Sequence, residues 1–346
     1  MVRFPFYARL ALTLFAIAVI FAFMWVGKSL LVHLFFSFLV AILLHPVARY
    51  LEKYRFPRAL AAVIPILGFM IVIGGICFFF SHQVVRLTKD LPSLQEKVME
   101  KWEHIQDWIS DKYHITNTQQ TAYVNKSASG ILNSAMSSVA TTFMGIAEIV
   151  LLTIFFFILT FFILQYRRLL MHFVVELFDR EHNEKVQEII ARIRSLINSY
   201  VLGLLIEMSV VATIIFIALM IIGIKYALLI AIIAGVLNII PYLGIYTSMA
   251  IAIIIAAATN TTGHVVAVAV VFLVTHFLDA NVILPHIVGG KVKMNPFITI
   301  LVVLLGHLVW GIPGMFLFIP LTAMLRLISE EVTGMKPWAI LLGEEK

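Results

Sequence analysis

Several polar side chains stand where polar groups are costly. Asp279, Asn281, Glu207 and Asn238 each fall inside or at the edge of a long apolar run. Ionisable groups at membrane depth are expensive and so mark ion pathways or proton relays. Asp279 lies two residues before Asn281 and six before Pro285. A carboxylate beside an amide, near interrupted backbone, offers the hard oxygen ligands that an alkali cation needs. The same carboxylate can bind a proton instead, and that competition would couple cation flow to proton flow. The structural alternative is an Asp279 near the membrane surface that caps or pairs. Glu207 has no basic residue at i±3 or i±4, so any partner comes from another helix. It reads as a proton site or as a group facing a hydrated vestibule, while Glu148 reads as interfacial. His276 shares a face with Asp279 at i,i+3; a hydrogen-bonded packing role comes before a relay. His33, His264 and His307 are scattered, and no His-x-x-x-His or Cys cluster suggests metal. Gly289-Gly290-Lys291 lacks the rest of a phosphate-binding loop, and Gly-x-Ser-x-Gly and His-Glu-x-x-His are absent. No enzyme and no cofactor are expected.

The elements that position these groups are two interrupted apolar stretches. Asn238-Ile239-Ile240-Pro241-Tyr242-Leu243-Gly244 separates the arms Tyr226–Leu237 and Ile245–Ala258. Each arm is shorter than the roughly 20 residues a straight helix needs to cross a bilayer. Pro241 lacks an N–H and Gly244 adds backbone freedom, so a helix breaks there. Gly311-Ile312-Pro313-Gly314 interrupts Phe297–Ile328 in the same way. Broken backbone at membrane depth survives only against protein or a water-filled cavity, and such breaks point to a transport site. The bland alternative is a kinked packing helix. Each stretch is either one kinked crossing or a re-entrant hairpin, and Lys291 and Lys293 between them favour hairpins by the positive-inside bias. The expected site lies among the two breaks and the run 264–284. Asp279, Asn281, Asn238, Glu207 and Tyr242 are its substrate or ion contacts; Pro241, Gly244, Pro285, Gly311, Pro313 and Gly314 are its break and gating positions.

Composition sets the class. Of 346 residues, 62% are hydrophobic and 13% charged, against about 25% charged in a soluble domain. The apolar runs are continuous rather than alternating, which excludes a closed barrel. The expected fold is therefore an all-α polytopic membrane protein of about six full spans plus two broken or re-entrant hairpins. The run Leu10–Val26 reads as a signal anchor rather than a cleavable leader. Arg3 and Arg9 before it, and the net +3 of residues 45–58, place the N-terminus and the second loop in the cytoplasm. The basic balance signals such loops and not nucleic acid. The expected organisation is three transmembrane helices in 1–81, an extracytoplasmic insert in 82–140 and a fourth helix in 141–165. A cytoplasmic connector helix fills 166–199, the transport core 200–328 and a cytoplasmic tail 329–346. Within the insert, six bases match six acids, and Leu91, Leu94, Val98, Trp102, Ile105 and Ile109 recur at helical spacing. Pro92-Ser93 with Glu96 resembles a capping box that would start an amphipathic helix there.

At this point the chain resembles a family. Gly223-Ile224-Lys225-Tyr226-Ala227, the Asn238–Gly244 run, Asn281-Val282-Ile283-Leu284-Pro285, Gly289, Asn295-Pro296 and Gly311–Met315 look like the signature of the autoinducer-2 exporter family of bacterial permeases. Leu44-His45-Pro46-Val47 and Phe56–Ala61 also fit. Leu177-Phe178-Asp179 departs from the family, where Pro often follows Leu-Phe. The resemblance implies a multi-pass transporter of the bacterial inner membrane, with both termini cytoplasmic, and a homo-oligomer. Family members are associated with export of a small polar signalling solute or with sodium or lithium/proton exchange. Expected partners are the lipid bilayer and either such a solute or a monovalent cation and proton. A membrane scaffold that transports nothing is the reading from another class.

Overall fold

The computed structural model describes residues 5–113, 146–239, 243–289 and 294–344. Its helices, in chain order, are α1 (Phe6–Val26), α2 (Lys28–Lys53), α3 (Arg58–Tyr113), α4 (Ile146–Gln165), α5 (Arg167–Glu176) and α6 (Asn183–Ile222). They continue with α7 (Ala227–Leu237), α8 (Leu243–Thr259), α9 (Thr262–Leu278), α10 (Pro296–Trp310), α11 (Ile312–Glu331) and α12 (Lys336–Leu342). Among the described residues there is no strand. Six helices are long and apolar enough to cross a membrane, and α4 with α5 forms a further apolar pair bent by 65°. The protein is all-α and polytopic.

Two compact units are distinguishable. The first comprises Met1–Phe69, Ile154–Leu205 and Pro285–Lys346. Gly27 alone joins α1 to α2. Along α2 and the start of α3, Ala41, Ala48, Ala61 and Ala62 are buried; in lipid, small residues at the seam let helices approach closely. Ser37 Oγ donates to the Phe156 carbonyl at 3.0 Å, tying α2 to α4. The Gly311 break folds α10 back along α11. A Cβ on Gly306 would lie 2.3 Å from the Gly314 carbonyl oxygen, whereas eight residues along a continuous helix span about 12 Å. Trp310 at the tip stacks edge-on against Phe318, with ring centroids 5.2 Å apart. Its Nε1 donates to the Met24 carbonyl at 2.9 Å, so the tip reaches the level of the α1–α2 turn. At the other end of α11, Glu331 pairs with Lys185 at 3.2 Å and Arg192 at 3.0 Å of α6.

The second unit comprises Met70–Thr153 and Ile206–Leu284. Val211, Ile215 and Leu219 of α6, one turn apart, are fully buried with Val268 and Phe272 of α9. A Cβ on Gly235 would meet the Met208 carbonyl oxygen at 2.7 Å, so α7 touches α6 backbone to backbone. With 11 residues, α7 spans only about 16 Å and cannot cross a bilayer. It folds back on α8: a Cβ on Gly244 would fall 1.9 Å from the Leu237 carbonyl oxygen. Both interrupted stretches are therefore hairpins and not kinked crossings.

Two sequence expectations fail at helix ends. The capping box at Ser93 starts nothing, because α3 runs unbroken from Arg58 to Tyr113. Pro92 removes a single hydrogen bond, and the good helix formers around it carry the helix through. The connector, expected as a separate helix to residue 199, is instead continuous with the crossing: α6 is one helix of 40 residues. Residues 114–140 of the insert lie outside the described residues.

The turn after α6 follows from its sequence. Gly223 takes φ +79, and the Ile224 N–H reaches back to the Leu219 carbonyl at 2.9 Å. Buried Ile224 packs over Leu219, a glycine-capped helix end with its usual apolar contact. Next, Lys225 pairs with Asp90 of α3 at 2.5 Å, and the Tyr226 hydroxyl donates to the same carboxylate. The hydrogen bonds from Lys225 and then Tyr226 hold the Asp90 carboxyl below its usual range. A lowered carboxylate pKa stabilises the fold above the ordinary carboxylate range and loses that contribution as pH falls through the lowered value. Asp90→Asn is expected to unfold slightly earlier than the parent at neutral pH, and identically in strong acid. Thermal unfolding across pH checks it.

Candidate functional site

Glu207, Asn238 and Asp279 meet inside the second unit. Glu207 comes from the middle of α6. Asn238 ends α7, its N–H bonding the Ala234 carbonyl at 2.9 Å before the chain leaves the helix. Asp279 follows α9 at the first position of a π-helical turn, Asp279–Ile283. Wider π turns within helices recur at functional sites, since they re-aim side chains without ending the helix.

The Asn238 Nδ2 donates to Glu207 Oε1 at 3.0 Å and to Asp279 Oδ2 at 3.0 Å. An amide NH2 carries two N–H donors, and each serves one carboxylate. Glu207 is 3% exposed and Asp279 7%. Their second oxygens, Oε2 and Oδ1, are buried without a hydrogen-bond partner among the described residues. Two buried carboxylates sharing one neutral donor leave negative charge that a proton or a cation has to offset. The cluster can therefore hold a proton on one of the acids. It can also hold an alkali cation, with the amide rotated to present its oxygen. Among the described residues no group of three His, Cys, Asp or Glu is placed to hold a metal ion.

The other expected residues distribute unevenly. Asn281 is exposed and donates to the Phe277 carbonyl of its own helix at 2.8 Å, outside the cluster. Gly244 is at the α7–α8 fold, and Ser248 Oγ donates to its carbonyl at 2.7 Å. Pro241 and Tyr242 lie outside the described residues. Pro285, Gly311, Pro313 and Gly314 belong to the first unit. His276 is half-buried, one helical turn before Asp279, with its ring 5.5 Å from that of Tyr246. His264 is engaged with Thr261 and His33 with the Ser29 carbonyl. Cys77 is exposed.

A helical membrane protein with paired hairpins and a buried acid–amide–acid cluster has the build of a transporter. Residues 14–334 match the profile of the AI-2E family transporters, and the chain belongs to that family. Among its relatives is YrrI of Bacillus subtilis, whose name assigns it to transport. It is 24% identical over 312 residues, covering 87% of this chain and 86% of YrrI. YueF of the same organism is 26% identical, covering 85% and 82%. The AI-2 transport protein TqsA of Escherichia coli is 20% identical, covering 92% and 90%.

Proposed function

We propose that this chain is a secondary transporter in which Glu207, Asn238 and Asp279 couple movement of the cargo to a proton or an alkali cation. The observation that carries the reading is the single Asn238 amide shared by two buried carboxylates, each with an unpartnered oxygen. Proton and cation compete for the same oxygens, so binding of one releases the other. Export of a small polar solute is the first cargo reading, supported by the likeness to the AI-2 transport protein TqsA. In it the acids energise efflux by letting protons in. Exchange of sodium or lithium for protons is the second reading, favoured by the hard-oxygen donor set. The site would sit in the bacterial inner membrane with both termini in the cytoplasm, in a homo-oligomer.

The two readings separate in liposomes reconstituted with the full chain. Proton movement is followed after a sodium or lithium pulse, and again with a labelled small polar solute trapped inside. Solute efflux driven by an imposed proton gradient supports the first reading. Proton movement on a cation pulse alone, without solute, supports the second. The absence of both signals would overturn coupled transport.

A further inference from the structure

At the end of the first unit where α2 stops, the described residues gather positive charge that acids do not balance. An open cavity of about 780 Å³ is lined by His45, Arg49, Glu52, Lys53, Arg168 and Arg194, among others. A second one beside it adds Arg167 and His172. Glu52 is the one acid lining either cavity, and it is already taken by Arg167 at 2.5 Å and Arg168 at 3.5 Å. Arg49 and Arg194 have no acidic partner among the described residues, and Arg49, Arg167 and Arg194 lie close enough to repel one another. Such a cluster is stabilised by an anion with several oxygens, and guanidinium forks match phosphate in geometry.

The surroundings say which phosphate. The chain bends by 65° at Tyr166, between α4 and α5, and Arg167 and Arg168 open α5. That helix carries Leu169, Leu170 and Phe173 exposed, on the side away from the cavity-lining Met171, His172 and Val175. A short helix with basic residues at its start and exposed apolar side chains, at the end of membrane-crossing helices, fits the bilayer interface. Basic pockets between helices at that level bind lipid head groups.

We propose that the Arg49–Arg168–Arg194 cavity is a binding site for the phosphate of an anionic phospholipid, at the bilayer interface that the exposed apolar face of α5 marks. The site is separate from the acid–amide–acid cluster and does not depend on its role. The lipid ties α2, α5 and α6 together by supplying the negative charge that Glu52 alone cannot.

The test is native mass spectrometry of the purified full chain with phosphatidylglycerol, with phosphatidylcholine and with soluble glycerol phosphate. The parent is expected to retain phosphatidylglycerol in preference to phosphatidylcholine. Arg49→Gln and Arg194→Gln are each expected to weaken that binding about fivefold and their combination about thirtyfold, with phosphatidylcholine unaffected. Arg194→Lys, which keeps the charge, checks that any loss is not misfolding, because it should retain most of the affinity. Equal retention of the two lipids, or unchanged phosphatidylglycerol binding in the double variant, would overturn the proposal. So would glycerol phosphate displacing the lipid at similar concentration, which would make this a site for a soluble anion.

Discussion

Replacing Asn238 by leucine is expected to destabilise the fold by about 3 kcal/mol, the scale of charge-assisted hydrogen bonds lost from a buried site. The side chain is close to isosteric, so packing changes little. Two carboxylates instead lose their shared donor and face each other in an apolar surrounding, with Oε2 and Oδ1 already unpartnered. The decisive part is the second substitution. In a Glu207→Gln background one acid is gone, and Asn238→Leu is expected to cost about half as much, because only Asp279 is left without its donor. Chemical or thermal unfolding of the four proteins in detergent gives the cycle. Additive losses would mean that Asn238 serves the two acids independently.

Gly306→Leu is the second large effect. The backbones of α10 and α11 touch at Gly306 and Gly314, and Cβ atoms there would lie 2.3 and 1.9 Å from the opposing carbonyl oxygens. Backbone cannot swing aside as a flexible side chain can, so the hairpin has to open. The expected loss is about 3 kcal/mol, at the upper end of overpacking costs. Opening would also lift Trp310 from its bond to the Met24 carbonyl, shifting its fluorescence. Gly334, which has open space around it, is the control: Gly334→Ala is expected to change neither stability nor emission.

Much of this architecture is legible in the sequence. Continuous apolar runs give the helical membrane class, and a polar group inside such a run is conspicuous, which is why Glu207, Asn238 and Asp279 stand out together with Asn281. The meeting of the first three is less legible, because they come from three elements separated by up to 72 residues in the chain. Asn281 looks equivalent to Asp279 by spacing, yet the π turn at Asp279 and a bond to its own helix leave it outside the cluster. The helix start expected at Ser93 and the connector end expected at residue 199 mislead in the opposite direction. Both positions carry polar, helix-punctuating residues, and neighbouring helix formers override them. The arginine cavity leaves the faintest trace. Arg49, Arg168 and Arg194 read singly as markers of a cytoplasmic loop, and only the fold places them around one space.

Proton flux in liposomes carrying the parent or Asp279→Asn tests the central claim most directly. The account predicts a proton movement coupled to cation or solute in the parent, reduced about a hundredfold in Asp279→Asn, as expected where roughly 3 kcal/mol of binding to the coupling ion is lost. Equal coupled flux in parent and variant would contradict it and remove the acid–amide–acid cluster from the transport mechanism.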